Sequence, residues 1–288
     1  MLCVHPFRLK PIYPDYPDGL EVPCGKCLLC RQQKATEWSV RMYHELDQHK
    51  DSMFVTLTYS DDYLPENYSI KKDHAQKWLK RLRKNIGDKR IRYFLCGEYG
   101  TQTQRPHYHT IIYGLGLKNK NSVIETWPYC DWTQPSILTK SFGLVEPASI
   151  QYVAGYVLKK LNDQDTDLLY TQTGREACFR LSSQGLGRDY ADKNPEQLKE
   201  MEHVTLRGVK HTIPRYYIKR LNLSLSKDNQ INRDCELTEE RTGLYISSED
   251  LYKSAIDEVL TYHKADKASK KQRELNKAAS IAIKQAIL

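Results

Sequence analysis

The sequence lacks the marks of several large protein classes. No apolar run approaches the length of a membrane span, and residues 1–10 contain no apolar signal-peptide core. Walker-type and Rossmann-type glycine-rich phosphate loops are absent, as are internal repeats, low-complexity tracts and helicase motifs. We therefore expect a cytosolic protein without membrane contact, whose cysteines are mostly thiols or metal ligands rather than disulfides.

Phenylalanine and tryptophan are scarce, whereas tyrosine is abundant: the chain has five Phe, four Trp and twenty Tyr. Tyrosine combines an apolar ring with a hydroxyl group, which suits surfaces that stack on bases or contact phosphates, although half-buried strand tyrosines account for most of the twenty. The formal net charge is +8 at pH 7. A basic excess favours a polyanionic partner through attraction and counterion release.

Strand and helix patterns mix without a regular βαβ rhythm. Apolar spacing predicts helices after Arg31, behind a capping box that begins at Asp73 and ends at Gly87, and over residues 149–161. Segments rich in β-formers predict strands at residues 53–59, 91–96, 107–113 and 143–145. The fold class expected from this mixture is α+β, with a mainly antiparallel sheet.

The chain changes character along its length. Its opening stretch is rich in proline, and a helix that packs on the core follows; we assign residues 1–50 to this Cys-containing segment. Residues 51–225 form the predicted core. From residue 251 onward the sequence is rich in alanine and lysine, without glycine or proline. We therefore interpret residues 226–288 as a charged helical tail.

A His-Tyr-His sequence lies in one predicted strand. Because side chains alternate along a strand, His107 and His109 point to the same face, with Tyr108 on the other. Glu98 ends the preceding strand, and a short hairpin connection would bring its carboxylate back to the two histidines. Two imidazoles and one carboxylate leave coordination positions open for phosphate oxygens and water, so this group predicts a catalytic Mn²⁺ or Mg²⁺ site. A pair of exposed strand histidines is the structural alternative.

The predicted helix at residues 149–161 carries two tyrosines four residues apart. At about 100° per residue, Tyr152, Tyr156, Lys159 and Lys160 gather opposite a broad apolar face. A phenol needs help to attack phosphorus, and a nearby metal and lysine charge would supply it. Gly155 lies within the helix, where a close backbone approach to DNA or to another element would explain it. The alternative is a surface helix whose tyrosines cover a neighbouring element.

Three cysteines near the N-terminus have the spacing of metal ligands: Cys24, Cys27 and Cys30. Cys3, or else His5, would complete a structural zinc site, which would order a proline-rich segment that has little else to hold it. An iron–sulfur cluster is disfavoured because the fourth cysteine of the bacterial ferredoxin run is absent.

Cations cluster on the helix that follows Asp73. Their density, without an acid among them, favours a face directed at phosphates over an ordinary solvated face. We expect DNA contacts from this helix and from the residue that precedes the histidine strand: Lys77, Lys80, Arg81, Lys84 and Arg105.

Three motifs together resemble one family. The strand MFVTLTY, then GEYG with RPHYH, then YVAGYVLKK follow the order of the HUH endonucleases, and more narrowly that of the replication initiators of gokushovirus-type microviruses, which are single-stranded DNA phages. The segment PCGKCLLCR, with Trp38 and Arg41 behind it, fits that branch. The resemblance covers roughly residues 3–217 and leaves the tail unmatched.

The resemblance implies a five-stranded antiparallel sheet and rolling-circle replication. The chain would nick single-stranded DNA at the replication origin through a 5′-phosphotyrosine intermediate and rejoin the strand to circularise it. His107 and His109 match the HUH pair, Glu98 the third ligand by position, Tyr152 and Tyr156 the paired nucleophiles, with Lys159 completing Tyr-x-x-Lys. It implies action in the cytoplasm of an infected bacterial host, with a host helicase and polymerase as partners.

Other functions remain open from sequence. A transposase or relaxase of the HUH class would use a similar site. A non-catalytic, zinc-containing nucleic-acid-binding protein would explain the charge and the cysteines, but not the Glu98, His107 and His109 group. A two-His-one-carboxylate oxygenase would have no use for the tyrosine pair.

Overall fold

The computed structural model describes residues 3, 6–9, 20–100, 103–156, 170 and 172–223. The chain divides after Cys30 into two compact units. In the first unit, β1 (Phe7–Leu9) and β2 (Leu20–Val22) form an antiparallel hairpin. Helix α1 follows in the chain and covers Leu28–Leu46. The elements below belong to the second unit.

Five strands among the described residues form the central sheet, in the order β6–β3–β5–β4–β7, and every neighbouring pair is antiparallel. This confirms the α+β class with a five-stranded antiparallel sheet. The strands are β3 (Ser52–Leu57), β4 (Arg92–Tyr99), β5 (Pro106–Tyr113), β6 (Phe142–Gly143) and β7 (Phe179–Ser182). A separate antiparallel hairpin follows, made of β8 (His203–Leu206) and β9 (Val209–Thr212).

Short helices connect and cover these strands. The described helices after α1 are α2 (Lys72–Asn85), α3 (Lys120–Thr126), α4 (Pro135–Ser141), α5 (Pro147–Gly155), α6 (Arg188–Lys193), α7 (Pro195–Met201) and α8 (Arg215–Leu221). None of the helices in the described part of the chain is long and apolar enough to cross a bilayer.

The face of the sheet that α2 covers is the larger apolar core. Trp78 and Leu82 of α2 are fully buried against Leu95 and Tyr108 of the sheet, and α3 adds Val123 to the same cluster. The Tyr108 hydroxyl donates to the carbonyl of Lys71 (2.9 Å) and lies 2.7 Å from the Tyr59 hydroxyl. These polar partners fix a phenol that points away from the histidine face.

The opposite face carries α1 and α5. Met42 of α1 and Ile150 of α5 are fully buried against Phe94 and Ile111, which alternate with the residues of the first face. Ile150, Val153 and Ala154 are buried, as the apolar spacing predicted. On its far side α1 contributes Val40 to a third cluster, with α6, α7, α8 and the β8–β9 hairpin.

Some local predictions need correction. Asp73 is not part of a capping box: α2 begins at Lys72 without a side-chain cap, and Asp73 pairs with Lys77 (2.6 Å) instead. The end of α2 is as predicted, since Gly87 follows it with φ +63°. A real capping box, between Glu146 and Ser149 at the start of α5, was not predicted.

Strand β7 was missed, because its segment was interpreted as loop. No protein atom lies within 4 Å of a Cβ placed on Gly155, so the described elements do not make the close approach suggested there. The tail assigned to residues 226–288 lies outside the described residues, and the segment boundaries at 50 and 225 stay predictions.

Candidate active site

The hairpin of β4 and β5 brings Glu98 and the two histidines together. Both strands are longer than predicted, so Glu98 lies within β4, directly opposite His107, and Cys96 lies opposite His109. The Nε2 atom of His107 is 2.8 Å from Oε1 of Glu98, and Nε2 of His109 is 3.3 Å from the same oxygen. One ligand atom from each residue lies within 4.8 Å of the others.

The outer nitrogen of each imidazole has its own partner. Nδ1 of His107 lies 3.0 Å from the carbonyl oxygen of Arg105, and Nδ1 of His109 lies 3.0 Å from the Thr56 hydroxyl. A carbonyl only accepts, so Nδ1 of His107 carries the proton. Such partners orient the rings and direct both Nε2 atoms at Glu98, as they do in metal sites.

Burial and hydrogen bonding act in opposite directions on Glu98. Burial raises the pKa of its carboxyl group, but hydrogen bonds from His107 and His109 bring the net pKa well below its usual range. The side chain is only 5% exposed. Glu98 is therefore held as a carboxylate in a site that is mostly closed to water.

The donor set fits a divalent cation. Neutral imidazoles present lone pairs at Nε2, and lone pairs facing a carboxylate are repulsive unless a cation or a proton lies between them. Two nitrogens and a carboxylate suit Mn²⁺ or Mg²⁺ with open positions. The geometry thus brings the predicted ligands together.

Helix α5 directs both tyrosines at this group. The Tyr152 hydroxyl lies 3.3 Å from Nε2 of His109, and the Tyr156 ring stacks on the His109 ring with centroids 5.5 Å apart. The two phenol rings meet edge to face at 4.9 Å. This follows from their i,i+4 spacing, although Tyr156 is the residue that caps α5 rather than a residue within it.

The two phenols have different surroundings. Tyr152 is 50% exposed. The Tyr156 hydroxyl oxygen is buried. Burial, together with the neighbouring Glu98 and Tyr152, raises the pKa of Tyr156 far above the ordinary value. In this arrangement Tyr152 is the phenol that a substrate can reach.

The remaining predicted site residues do not join this cluster. Lys159 and Lys160 lie outside the described residues. Arg105 is near, but its guanidinium binds the carbonyl of Tyr59 (2.7 Å) and Asp61 (2.7 Å). The four cations Lys77, Lys80, Arg81 and Lys84 lie on α2, which covers the opposite face of the sheet, and Arg81 donates to the carbonyl of Thr126. A DNA strand held at Glu98 therefore does not contact α2 across the sheet, and DNA binding there stays a prediction for a remote surface.

Sequence reasoning missed Thr56, which orients His109. Its signal was available: Thr56 lies in the strand MFVTLTY, and strand pairing sets it opposite His109. Without the register, however, nothing distinguishes it from Thr58, whose hydroxyl contacts Cys130 instead (3.5 Å).

Four cysteine sulfurs form a second ligand group in the first unit. One sulfur from each of Cys3, Cys24, Cys27 and Cys30 lies within 4.8 Å of the others, so Cys3 rather than His5 completes the set. The sulfurs of Cys24 and Cys30 are 3.9 Å apart, which is too far for a disulfide. All four are free thiols.

Backbone amides surround the Cys24 sulfur. It accepts N–H groups from Lys26 (3.4 Å) and Cys27 (3.3 Å) in a turn that Gly25 makes with φ +70°. Burial raises the pKa of this thiol, but the amides lower it further, to about 7. The Cys24 N–H donates to Cys3 (3.2 Å). Amide donors that stabilise thiolates are what a bound metal needs.

Comparison with known proteins agrees with the arrangement of the site. The model of a family of replication-associated proteins, described by its ORF2 members, matches residues 52–165, which include both the histidines and the tyrosines. The chain is 33% identical to "Replication-associated protein ORF2" of Spiroplasma virus 4, over 69% of this chain and 67% of that protein. The chain belongs to this family of phage replication-associated proteins.

Two further relatives have similar names. The chain is 32% identical to "Replication-associated protein VP4" of Bdellovibrio phage phiMH2K, over 68% of this chain and 65% of that protein. It is 29% identical to "Replication-associated protein ORF4" of Chlamydia phage 1, over 74% of this chain but only 56% of that protein. No solved structure matches the chain.

Proposed function

We propose that this replication-associated protein is a metal-dependent HUH endonuclease and strand transferase. It nicks single-stranded DNA at a phage replication origin, stays attached to the 5′ phosphate through tyrosine, and rejoins the strand to circularise it. The observation that carries the proposal is the 3.3 Å contact between the Tyr152 hydroxyl and His109, because it puts a nucleophile beside the predicted metal ligands. The names of the relatives favour replication over transposition or plasmid transfer.

The reaction needs one bond to form and one to break at phosphorus. The Tyr152 oxygen bonds to phosphorus, the bond from phosphorus to the 3′ oxygen breaks, and that oxygen leaves and takes up a proton. The phenolic proton goes to solvent, which reaches half-exposed Tyr152. The phosphotyrosine diester conserves the bond energy, so attack by a 3′ hydroxyl restores both the DNA and the tyrosine.

Glu98, His107 and His109 would hold Mn²⁺ or Mg²⁺. When bound, such an ion polarises the scissile phosphate and stabilises the charge that develops on its oxygens. The chain itself aligns the donors: Thr56 and the carbonyl of Arg105 fix the imidazoles, and burial keeps water from competing. Stacking of Tyr156 on His109 keeps the second phenol next to the site for a later transfer.

The proposal implies partners and a location. Unwinding and synthesis would be left to a host helicase and polymerase, since the sequence contains no helicase motif. The work would take place in the cytoplasm of the infected bacterial host.

The test is a cleavage reaction with single-stranded origin DNA and Mn²⁺ or Mg²⁺. We expect a covalent protein–DNA adduct that survives denaturing electrophoresis and requires the metal. The double variant Tyr152→Phe plus Tyr156→Phe should form none, and His107→Ala should lose it too. Tyr63→Phe is a matched control, because Tyr63 is equally exposed but lies in a loop away from α5. An adduct with the double Phe variant would refute the assignment.

A second proposal concerns the first unit. We propose that Cys3, Cys24, Cys27 and Cys30 bind structural Zn²⁺, supported by four converging sulfurs and by the amides around Cys24. A tetrathiolate site leaves no open position, so its role is structural rather than catalytic.

Zinc content of purified protein, measured by mass spectrometry, tests this second proposal. We expect one equivalent in the wild type and its loss in Cys27→Ser. Cys178→Ser is the control, since Cys178 lies near Tyr170, outside the cluster. Absence of zinc, with thermal unfolding unchanged by chelator, would overturn it.

A further inference from the structure

Two guanidinium groups enclose one indole on the sheet face that carries the tyrosines. The Arg41 guanidinium lies 4.2 Å from the Trp38 ring centre, and that of Arg180 lies 4.1 Å from it. The stack continues at both ends: Arg41 also lies 4.2 Å from the Tyr216 ring, and Arg180 lies 5.8 Å from the Phe94 ring. None of these residues takes part in the reaction described above.

Strand register places Arg180 in the same row as the metal ligands. Cys96 pairs with His109 on one side and with Arg180 on the other, and directly paired residues project from the same face. Cys96 also contacts the carbonyl of Val153 in α5 (3.5 Å). Two strand spacings separate Arg180 from His109, which is about 10 Å between Cα atoms. Trp38 and Tyr156 pack on the same apolar cluster.

The two arginines are held in different ways. Arg41 donates from Nε to the carbonyl of Leu186 (2.9 Å), and Glu37 lies one helical turn away. Within the described part of the chain, the Arg180 guanidinium has no hydrogen-bond or ion-pair partner; only the rings of Trp38 and Phe94 position it. Arg180 is exposed and lies on β7, which is an edge strand of the sheet. Its donors can therefore reach a ligand.

A stacked, exposed guanidinium is well suited to a phosphodiester. Its planar donors match phosphate oxygens, and the aromatic platform restricts its rotation before the ligand arrives. Aromatic rings beside cations are also the usual surface for single-stranded nucleic acid. A strand whose scissile phosphate lies at Tyr152 would pass this edge within a few nucleotides.

We infer that Arg180, held by Trp38, binds a backbone phosphate of the single strand that enters the tyrosine site. The inference deepens the proposed function, because it rests on single-stranded DNA as the substrate. Trp38 and Arg41 act as positioning residues, which hold the Arg180 guanidinium in place. The positive charge that serves the site thus comes from β7 and not from α2.

Binding without chemistry tests the inference separately from catalysis. The probe is fluorescent single-stranded oligothymidine, bound in EDTA by the Tyr152→Phe plus Tyr156→Phe protein and measured by anisotropy over a range of salt concentrations. Arg180→Gln should weaken binding about tenfold at low salt and reduce the slope of log K against log salt by about 0.7, the value for one phosphate contact on a single strand. Arg180→Lys should keep the slope but recover only part of the affinity, because lysine lacks the planar stack.

Arg83→Gln is the matched control. Arg83 is also exposed and also stacks on a ring, with Tyr93 at 5.4 Å, but it lies on α2 across the sheet. We expect its affinity and slope to equal those of the parent protein. Equal losses in Arg83→Gln and Arg180→Gln, or no loss in either, would overturn the inference. A normal loss for Arg180→Gln in a protein that never forms the adduct would sink the nuclease proposal instead.

Discussion

The Tyr152 hydroxyl lies 3.3 Å from Nε2 of His109, and this contact joins an α-helix to the central strand of the sheet. It exists because α5 packs Ile150 and Val153 against the sheet and turns its tyrosines toward the β4–β5 hairpin. A nucleophile and a set of metal ligands are therefore adjacent before any substrate binds. Most predictions below depend on that adjacency.

The two tyrosines should have different roles. Tyr152 is half-exposed, whereas the Tyr156 hydroxyl is buried, so we expect Tyr152 to make the first cut. Tyr152→Phe should slow adduct formation by at least about a thousandfold, the order of loss when a nucleophile is removed. Tyr156→Phe should still form the adduct but fail to rejoin strands. Single-turnover cleavage and strand-joining assays separate the steps; the reverse pattern would show that Tyr156 attacks first.

Thr56 should matter for metal affinity. Thr56→Val keeps the side-chain shape but removes the partner of Nδ1 of His109, and lost ligand-orienting hydrogen bonds of this kind cost about 10-fold to 100-fold in affinity. Titration with Mn²⁺, followed by electron paramagnetic resonance, measures this directly. Thr58→Val is the control, since that hydroxyl contacts Cys130. Equal affinities in both variants would contradict the role given to Thr56.

His44 should make the fold sensitive to acid. It is buried, stacks on Tyr190 at 3.4 Å and lies 2.9 Å from the Tyr217 hydroxyl. Burial lowers its pKa from 6.5 to about 4. Between these values the unfolded chain binds a proton that the folded chain excludes. The stabilisation is therefore complete above pH 6.5 and falls by up to about 3 kcal/mol as the pH approaches 4.

Urea unfolding at about pH 7.5 and about pH 5 measures this loss. The His44→Gln variant lacks the titrating group and is the reference that removes all other pH effects. The stability difference between wild type and variant should shrink at the lower pH. A difference that is constant with pH would contradict the prediction.

Gly97 should resist substitution, although its neighbours are side chains. A Cβ there would lie 2.8 Å from the Phe179 ring and 3.2 Å from the Tyr108 ring, and Tyr108 is fixed by its hydrogen bonds. We expect Gly97→Ala to cost about 1–3 kcal/mol of unfolding free energy, the usual penalty for overpacking. Gly143→Ala is the control, because the nearest atom to its Cβ is at 4.0 Å. Similar unfolding curves for the two variants would count against the packing argument.

Much of the fold was predictable because its signals are local. The β-rich segments around Val55, Phe94 and Ile111 and the amphipathic α2 were found from residue type and spacing. Strand β7 was not, because Phe179–Ser182 is short, contains a charged residue and is defined by pairing with the distant β4. Local propensity carries no information on such a partner.

The site divides in the same way. Glu98, His107 and His109 follow from strand alternation and a hairpin, which are short-range effects. The rotation of α5 toward His109 depends on how both elements pack, and the sequence predicted only that the tyrosines share a face. Charge density on α2 likewise could not show which face of the sheet that helix covers, and the cations lie on the other one.

The central claim is that a tyrosine of α5 becomes covalently linked to DNA. The most direct measurement is mass spectrometry of the adduct after nuclease and protease digestion, which locates the residue that carries the nucleotide. The account predicts the mass of a 5′-linked nucleotide on Tyr152, with a second population on Tyr156 after strand transfer. A nucleotide attached to any other residue, or a 3′ linkage, would contradict it.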